Sequence, residues 1–297
     1  MLREEQWRAL ERAHEQRVDE LTAGHRQRSA HAEKHPVEDF LFTYYSHRPS
    51  QLRRWHPGAD VVLLGERARD RLGWRWYREV DTQVDGQVVR GIGVDADAFG
   101  ADRGTTVAFV RDLVTATAGR PAQLGCFGLH EWAMVYGLAE GEQRHDSWPL
   151  RLGHAGTDAV VESRPIRCSH YDAFRFFTER ARPLNSLQPS RSQQVDLEQP
   201  GCLHAGMDLY KWAYKLSPLT PSALVLQCFE LARDIRVLDM QASPYDLVDL
   251  GYEPVRIETP EGRAEYAARQ RAFAERARPL RAALLHTCSQ AAHYARP

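Results

Sequence analysis

Residues 203–241 read LHAGMDLYKWAYKLSPLTPSALVLQCFELARDIRVLDMQ. Apolar residues recur at helical spacing from Leu203 to Leu216 and again from about Ser222 to Gln241. Between the two runs, Ser217-Pro218-Leu219-Thr220-Pro221 forms a turn, because its prolines fix φ and remove backbone donors. Two helices joined this tightly set the fold class as mainly α. Downstream, a long helix is predicted over about 260–289, opened by a capping-type start at Thr259-Pro260-Glu261. Upstream, residues 2–34 carry Trp7, Leu10, Val18 and Leu21 among many charges, which fits a charged helix ended by Pro36. Short helices are expected at 37–46, 102–118, 129–138 and 170–179. The strongest β signal lies at 74–94, where WRWYREV and QVVRGIGV flank Asp85-Gly86 as in a hairpin, and residues 157–168 look extended. A polar loop rich in Ser, Gln and Pro separates the 170–179 helix from Leu203, and loops of that length tend to be functional or mobile. The arrangement predicted is one mainly α domain (α+β in the broad sense) over 1–297. It has an N-terminal charged helix at 1–34, a small β insert at 60–95 and a C-terminal helical part at 200–289.

Of the 297 residues, 43% are apolar and 27% charged, the composition of a globular protein with ample core. Lys+Arg at 39 nearly balance Asp+Glu at 40, so bulk charge does not mark the chain as a nucleic-acid coat, and DNA binding would require a local arginine face. No run of 18 apolar residues suggests a membrane span. The N-terminus is charged from its third residue rather than apolar, so a cytoplasmic protein is expected. The five cysteines, Cys126, Cys168, Cys202, Cys228 and Cys288, form no C-x-x-C pair and read as small buried residues. No G-x-G-x-x-G, P-loop, G-x-S-x-G elbow or kinase motif occurs.

Four constellations carry chemistry. Residues 35–58, HPVEDFLFTYYSHRPSQLRRWHPG, interleave Tyr44, Tyr45 and Trp55 with Arg53 and Arg54, a mixture suited to stacked bases and phosphates. A core-seated aromatic helix followed by a solvated loop would read the same way. The second is Cys126 to Trp132 with Arg144 to Trp148 downstream. Here His130-Glu131 opens like a zinc-protease H-E-x-x-H helix, but Met134 stands where the second histidine belongs. His130 then serves as a proton-transfer group near Trp132 or as a satisfied core histidine.

The third is geometric. His204 and Asp208 are four apart, as are Glu230 and Asp234, so each pair shares a helix face. If the helices pack antiparallel, the four converge into a possible ligand set for non-haem iron, manganese or zinc. Asp234 also has arginines within reach as simple ion-pair partners. The fourth groups Arg164, Arg167, His170 and Arg175 with loop residues Asn185, Gln188, Ser190 and Arg191, which are donors for phosphates or base edges. An ordinary exposed loop with scattered arginines has the same composition.

These clusters, with SWPLRLG, TDAVVES, QPGCLHAGMDLYKWAYKLSPL, CFELARDIRVLDMQASPYDL and DLGYEPVRIETPEGRAEY, resemble a bacterial family common in actinobacteria. Its members are usually labelled 3-methyladenine DNA glycosylase. The likeness covers roughly residues 35–285. It implies hydrolysis of the N-glycosidic bond of alkylated purines in DNA, a hydrolase of DNA repair that needs no cofactor. The Gly-rich helix-hairpin-helix turn followed by a catalytic Asp, which marks one glycosylase superfamily, is absent, so no catalytic residue carries over by motif. Under this reading Tyr44, Tyr45, Trp55, Trp132 and Trp212 are candidate walls for a flipped base. Asp208, Asp234, Glu131 and Asp39 are candidate carboxylates, with His204, Glu230 and His130 as further candidate catalytic groups. Arg53, Arg54, Arg191 and His170 would hold the strand. Two alternatives stand beside it. One is a divalent-metal enzyme acting on a small molecule through His204, Asp208, Glu230 and Asp234, with His130 or His170 nearby. The other is a non-catalytic binder of a nucleotide or aromatic ligand.

Overall fold

The structure is a computed structural model that describes residues 1–142 and 147–294, with side chains through Gln290. Helix makes up 57% of it, and a two-stranded antiparallel hairpin is the only sheet among the described residues. The fold is therefore mainly α with a small β element. The chain divides into two compact units, each built from separate stretches. Unit one holds Met1–Val114, Tyr210–Phe229 and the chain from Leu280, and unit two holds Thr115–Leu209 and Glu230–Pro279.

In unit one, helix α1 (Glu4–Ala30) is charged and buries a stripe of Trp7, His14, Val18 and Thr22. The Trp7 ring stacks on Trp55 at 6.5 Å. Two short helices follow, α2 (Phe40–Tyr44) and α3 (Pro49–Arg53). Strands β1 (Tyr77–Val84) and β2 (Gln87–Val94) pair from Tyr77↔Val94 to Val84↔Gln87. Their turn places Asp85 at φ 51° and Gly86 at φ 80°, the paired positive values of a type I′ turn that matches strand twist. Leu63 extends the ladder by exchanging hydrogen bonds with Ile92 at 2.8 and 2.9 Å. Helix α4 (Ala96–Ala118) starts earlier than the sequence suggests, with the Asp95 carboxylate accepting the Ala98 N–H at 3.0 Å. Tyr210 of α9 (Leu203–Lys215) and Phe229 of α10 (Ser222–Gln241) complete an aromatic core with Phe42 and Tyr45, with ring centroids 5.2–5.7 Å apart.

In unit two, the expected helix at 129–138 is limited to α5 (Leu129–Ala133). Gly137, at φ 67°, turns the chain away soon afterwards. Of residues 157–168, expected to be extended, 157–162 are instead helical, and beyond them Ile166 makes an isolated bridge to Asn185. Helix α6 (Gly153–Glu162) buries Thr157 and Val161, one turn apart, and the Thr157 hydroxyl donates to the Gly153 carbonyl at 2.7 Å. The residues that suggest a strand are the β-branched pair Val160-Val161, and tertiary burial overrides that preference. Helix α7 (Tyr171–Phe174) is a single turn. The polar loop beyond it is ordered by Asn185, whose amide oxygen accepts the Cys168 N–H at 2.8 Å and whose amide nitrogen donates to Cys168 and Leu187 carbonyls. The loop then winds into α8 (Gln194–Leu197). Helix α11 (Pro260–Tyr294) matches the expected long C-terminal helix.

Candidate functional site

Unit two contains an unusual concentration of buried ionisable groups. Helix α5 begins just after Gly128, held at φ 75°, where an added Cβ would press on Ala242 and Tyr266 at 3.3 Å. This tight start turns His130 and Glu131 inward. His130 Nε2 lies 2.8 Å from Asp239 Oδ1. One nitrogen of Arg236, a turn earlier on α10, donates to the other Asp239 oxygen at 3.0 Å and to Glu131 Oε1 at 3.2 Å. His204 of α9 sets its ring edge-on to His130 at 4.6 Å and stacks on His170 at 5.2 Å. One donor atom from each of His130, Glu131, His204 and Asp239 falls within 4.8 Å of the others, and all four residues are buried.

The charges follow from this packing. Burial alone would lower the His130 pKa, but the Asp239 and Cys126 charges facing it raise it well above the usual imidazole range. Burial would likewise raise the Asp239 pKa, yet the His130 charge and hydrogen bond, with Arg236 behind them, hold it far down. Glu131 is raised, first by burial and then by the Asp239 charge. His204 is lowered to about 3 by burial and by the His130 charge, so its imidazole is neutral with a lone pair available. The Nδ1 atom of His130 is 3.4 Å from Cys126 Sγ, which fixes the ring from its other side.

A second group adjoins this one through the stacked His170 and His204 rings. His170 Nε2 is 3.5 Å from Asp208 Oδ2 and 3.8 Å from Glu198 Oε2. A cavity of about 10 Å³ opens among Cys126, His130, Cys168, Cys202, His204 and Tyr266. That is room for about one water molecule.

Of the residues singled out from sequence, His130, Glu131, His204, His170 and Asp208 thus come together. Glu230 and Asp234 do not join them: Glu230 is half-buried, and Asp234 pairs with Arg276 at 2.7 Å on the surface. Trp132 is buried and donates its indole N–H to the Ala242 carbonyl at 2.8 Å. Arg191 is exposed in a 3-10 turn. In unit one, Asp39 is taken up by Arg28, His25 and the His35 N–H. Arg53 is taken up by Glu15 and Asp19. Tyr45 and Trp55 are buried, and Tyr44 stacks on Phe40. Trp212 is buried with its ring edge against Phe109. Arg54 lines a larger cleft together with Trp74 and Trp76. Arg144, His145 and Asp146 lie outside the described residues.

Asp239 and Arg236 are the functional groups that the sequence reading missed. Their signal is present: Asp239 lies one turn after Ile235, on the stripe of α10 whose apolar members Leu231, Ile235 and Leu238 are buried. An acid on an apolar stripe needs a partner. The arrangement as a whole is a two-histidine, two-carboxylate centre held in a helical scaffold. No protein-family model, no curated protein and no solved structure matches this chain.

Proposed function

We propose that the protein is a metal-dependent enzyme acting on a small molecule, with His130, His204 and Asp239 as the metal ligands and Glu131 beside them. The observation that carries this reading is the convergence of four buried donor atoms, from α5, α9 and α10, within 4.8 Å. Two histidines and a carboxylate form a set that suits non-haem iron, manganese or zinc. His204 already has the neutral form a ligand needs. His130 Nε2 and Asp239, which now share a proton at 2.8 Å, would be free to hold a divalent ion once that proton is lost. Arg236 need not leave, because it bonds the outer Asp239 oxygen and Glu131. When bound, the metal supplies Lewis-acid or redox chemistry at a site with space for about one water, and Glu131, with its raised pKa, is placed to take or give a proton.

The second reading is the glycosylase activity that the family resemblance implies, and the aromatic, arginine-lined cleft of unit one favours it by size. The distribution of carboxylates supports the first. The cleft holds no Asp or Glu among its lining residues. A hydrolytic glycosylase needs a carboxylate next to the flipped base.

Elemental analysis tests the proposal. The purified protein is expected to hold about one equivalent of iron, manganese or zinc, with the ion raising the thermal midpoint by mass action. His204→Ala should abolish both effects while the helical circular dichroism persists. A wild-type protein that takes up none of these ions, and whose midpoint none of them moves, overturns the reading. Release of base from methylated DNA in the presence of a chelator would establish the second reading in its place.

A further inference from the structure

We infer that unit one carries a separate ligand site, a cleft for a nucleoside monophosphate. Its volume is about 400 Å³, within the ordinary range of small-molecule sites. Every lining residue belongs to unit one, so the site does not depend on the metal centre.

The chemistry of its walls selects the ligand. Arg54, Arg75, Arg103 and Lys215 face the cleft, and no carboxylate does. Asp102 is a counter-charge to two of them: it meets Arg75 at 3.0 Å and Arg103 at 3.2 Å, so one carboxylate is shared by two guanidinium groups. Arg54 forms no ion pair among the described residues, and its guanidinium lies 5.0 Å over the Trp74 ring. The cleft therefore carries surplus positive charge on forked donors, the arrangement that binds phosphate. His47 and His56 add hydrogen-bonding atoms rather than charge.

Aromatic rings supply the rest. Trp74 and Trp76 stand two residues apart, both half-buried at the cleft. Trp76 sits at φ 62°, a left-handed conformation that a bulky side chain rarely takes. It is held there by its carbonyl, which accepts the Asp95 N–H at 2.8 Å, and by its ring edge against Phe99 at 4.8 Å. Backbone strain of this kind gathers where a side chain must point at a ligand. Arg54 lies 5.0 Å over Trp74 and Arg75 4.4 Å over Trp76; when these guanidinium groups swing to a phosphate, a purine or pyrimidine takes their place on the indoles, and both halves of the wall are used. The limited volume and the formal net charge of −1 favour a single nucleotide over a nucleic-acid strand.

Titration calorimetry and tryptophan fluorescence with AMP and GMP test the assignment, with adenosine, inorganic phosphate and a short single-stranded oligonucleotide as comparisons. Saturable binding and quenching by a monophosphate are expected, with adenosine and phosphate each weaker by about tenfold or more. Arg54→Ala should weaken the monophosphate by about tenfold while moving the thermal midpoint little, since that guanidinium makes no ion pair and loses only an exposed contact with the Trp74 ring. Arg54→Lys should recover part of the loss. Phosphate binding as tightly as the monophosphate, an oligonucleotide binding more tightly than either, or no binding at millimolar concentration would each overturn the assignment. Metal content is measured on the same samples, so failure here is distinguishable from failure of the metal centre.

Discussion

Arg71 is 3% exposed, and its charge is accommodated from several sides. It meets Glu11 at 2.6 Å and donates to the Trp55 carbonyl at 2.8 Å. Its guanidinium also lies 4.5–5.4 Å from the ring centroids of Trp7, Trp55 and Trp74. Cation–π attraction, a short ion pair and a neutral acceptor together offset the desolvation. Arg71→Met keeps most of the aliphatic volume but strands Glu11 and the carbonyl. The expected loss is about 3 kcal/mol, the lower end for a broken buried pair because Glu11 remains partly wet. Urea unfolding measures it, and a loss below about 1 kcal/mol would mean that the indoles, rather than the charge, hold this corner together. Arg236 presents the same problem without indoles, balanced by two carboxylates in place of one.

At the scale of elements, the hairpin shows two glycines needed for different reasons. Gly86 sits at φ 80° with open space around its missing Cβ, so Gly86→Ala strains only the backbone. Gly91 has no unusual φ, but a Cβ there would lie 2.7 Å from the Leu63 carbonyl oxygen and 2.5 Å from a Val62 methyl. Gly91→Ala must therefore push the Leu63 segment off β2. We expect a loss of about 1 kcal/mol for Gly86→Ala and of about 2–3 kcal/mol for Gly91→Ala, compared by thermal unfolding of the two variants. The hairpin was legible because Asp-Gly between alternating runs is a local signal, and α10 was legible for a similar reason. Its site was only half legible. Equal spacing of acids picks out Glu230 and Asp234, but that face of α10 also carries Gln227 and Arg233, which are exposed. The buried acid is the one that interrupts the apolar stripe, and its partner His130 comes from a helix of only five residues. Spacing within one helix says nothing about such a partner. The helix at 153–162 was missed because burial of Thr157 and Val161 one turn apart outweighs the β preference of two valines.

For the whole molecule, the division into two units left no linker in the sequence, because each unit is assembled from stretches far apart in the chain. Unit one also concentrates histidines that are neutral when folded. His56 is lowered to about 3, by burial first and then by the nearby positive charges of Arg71 and Arg54, while its Nδ1 bonds the Tyr77 hydroxyl at 2.8 Å. Burial alone lowers His47 to about 4. Each takes up a proton near pH 6.5 when unfolded but only near its lowered value when folded. Between those limits the unfolded chain binds more protons, so stability rises with pH and is complete above pH 6.5. On acidification the loss begins below that point, well before the carboxylates titrate. Each such histidine contributes a slope of up to about 1.4 kcal/mol per pH unit. His56→Asn offers an amide near the Nδ1 position without a titrating group. Denaturation between pH 6.5 and 4 should therefore show the variant losing stability less steeply than the wild type by up to that slope. Parallel curves for the two proteins would mean that His56 is solvated enough in the folded protein to titrate normally, against its burial.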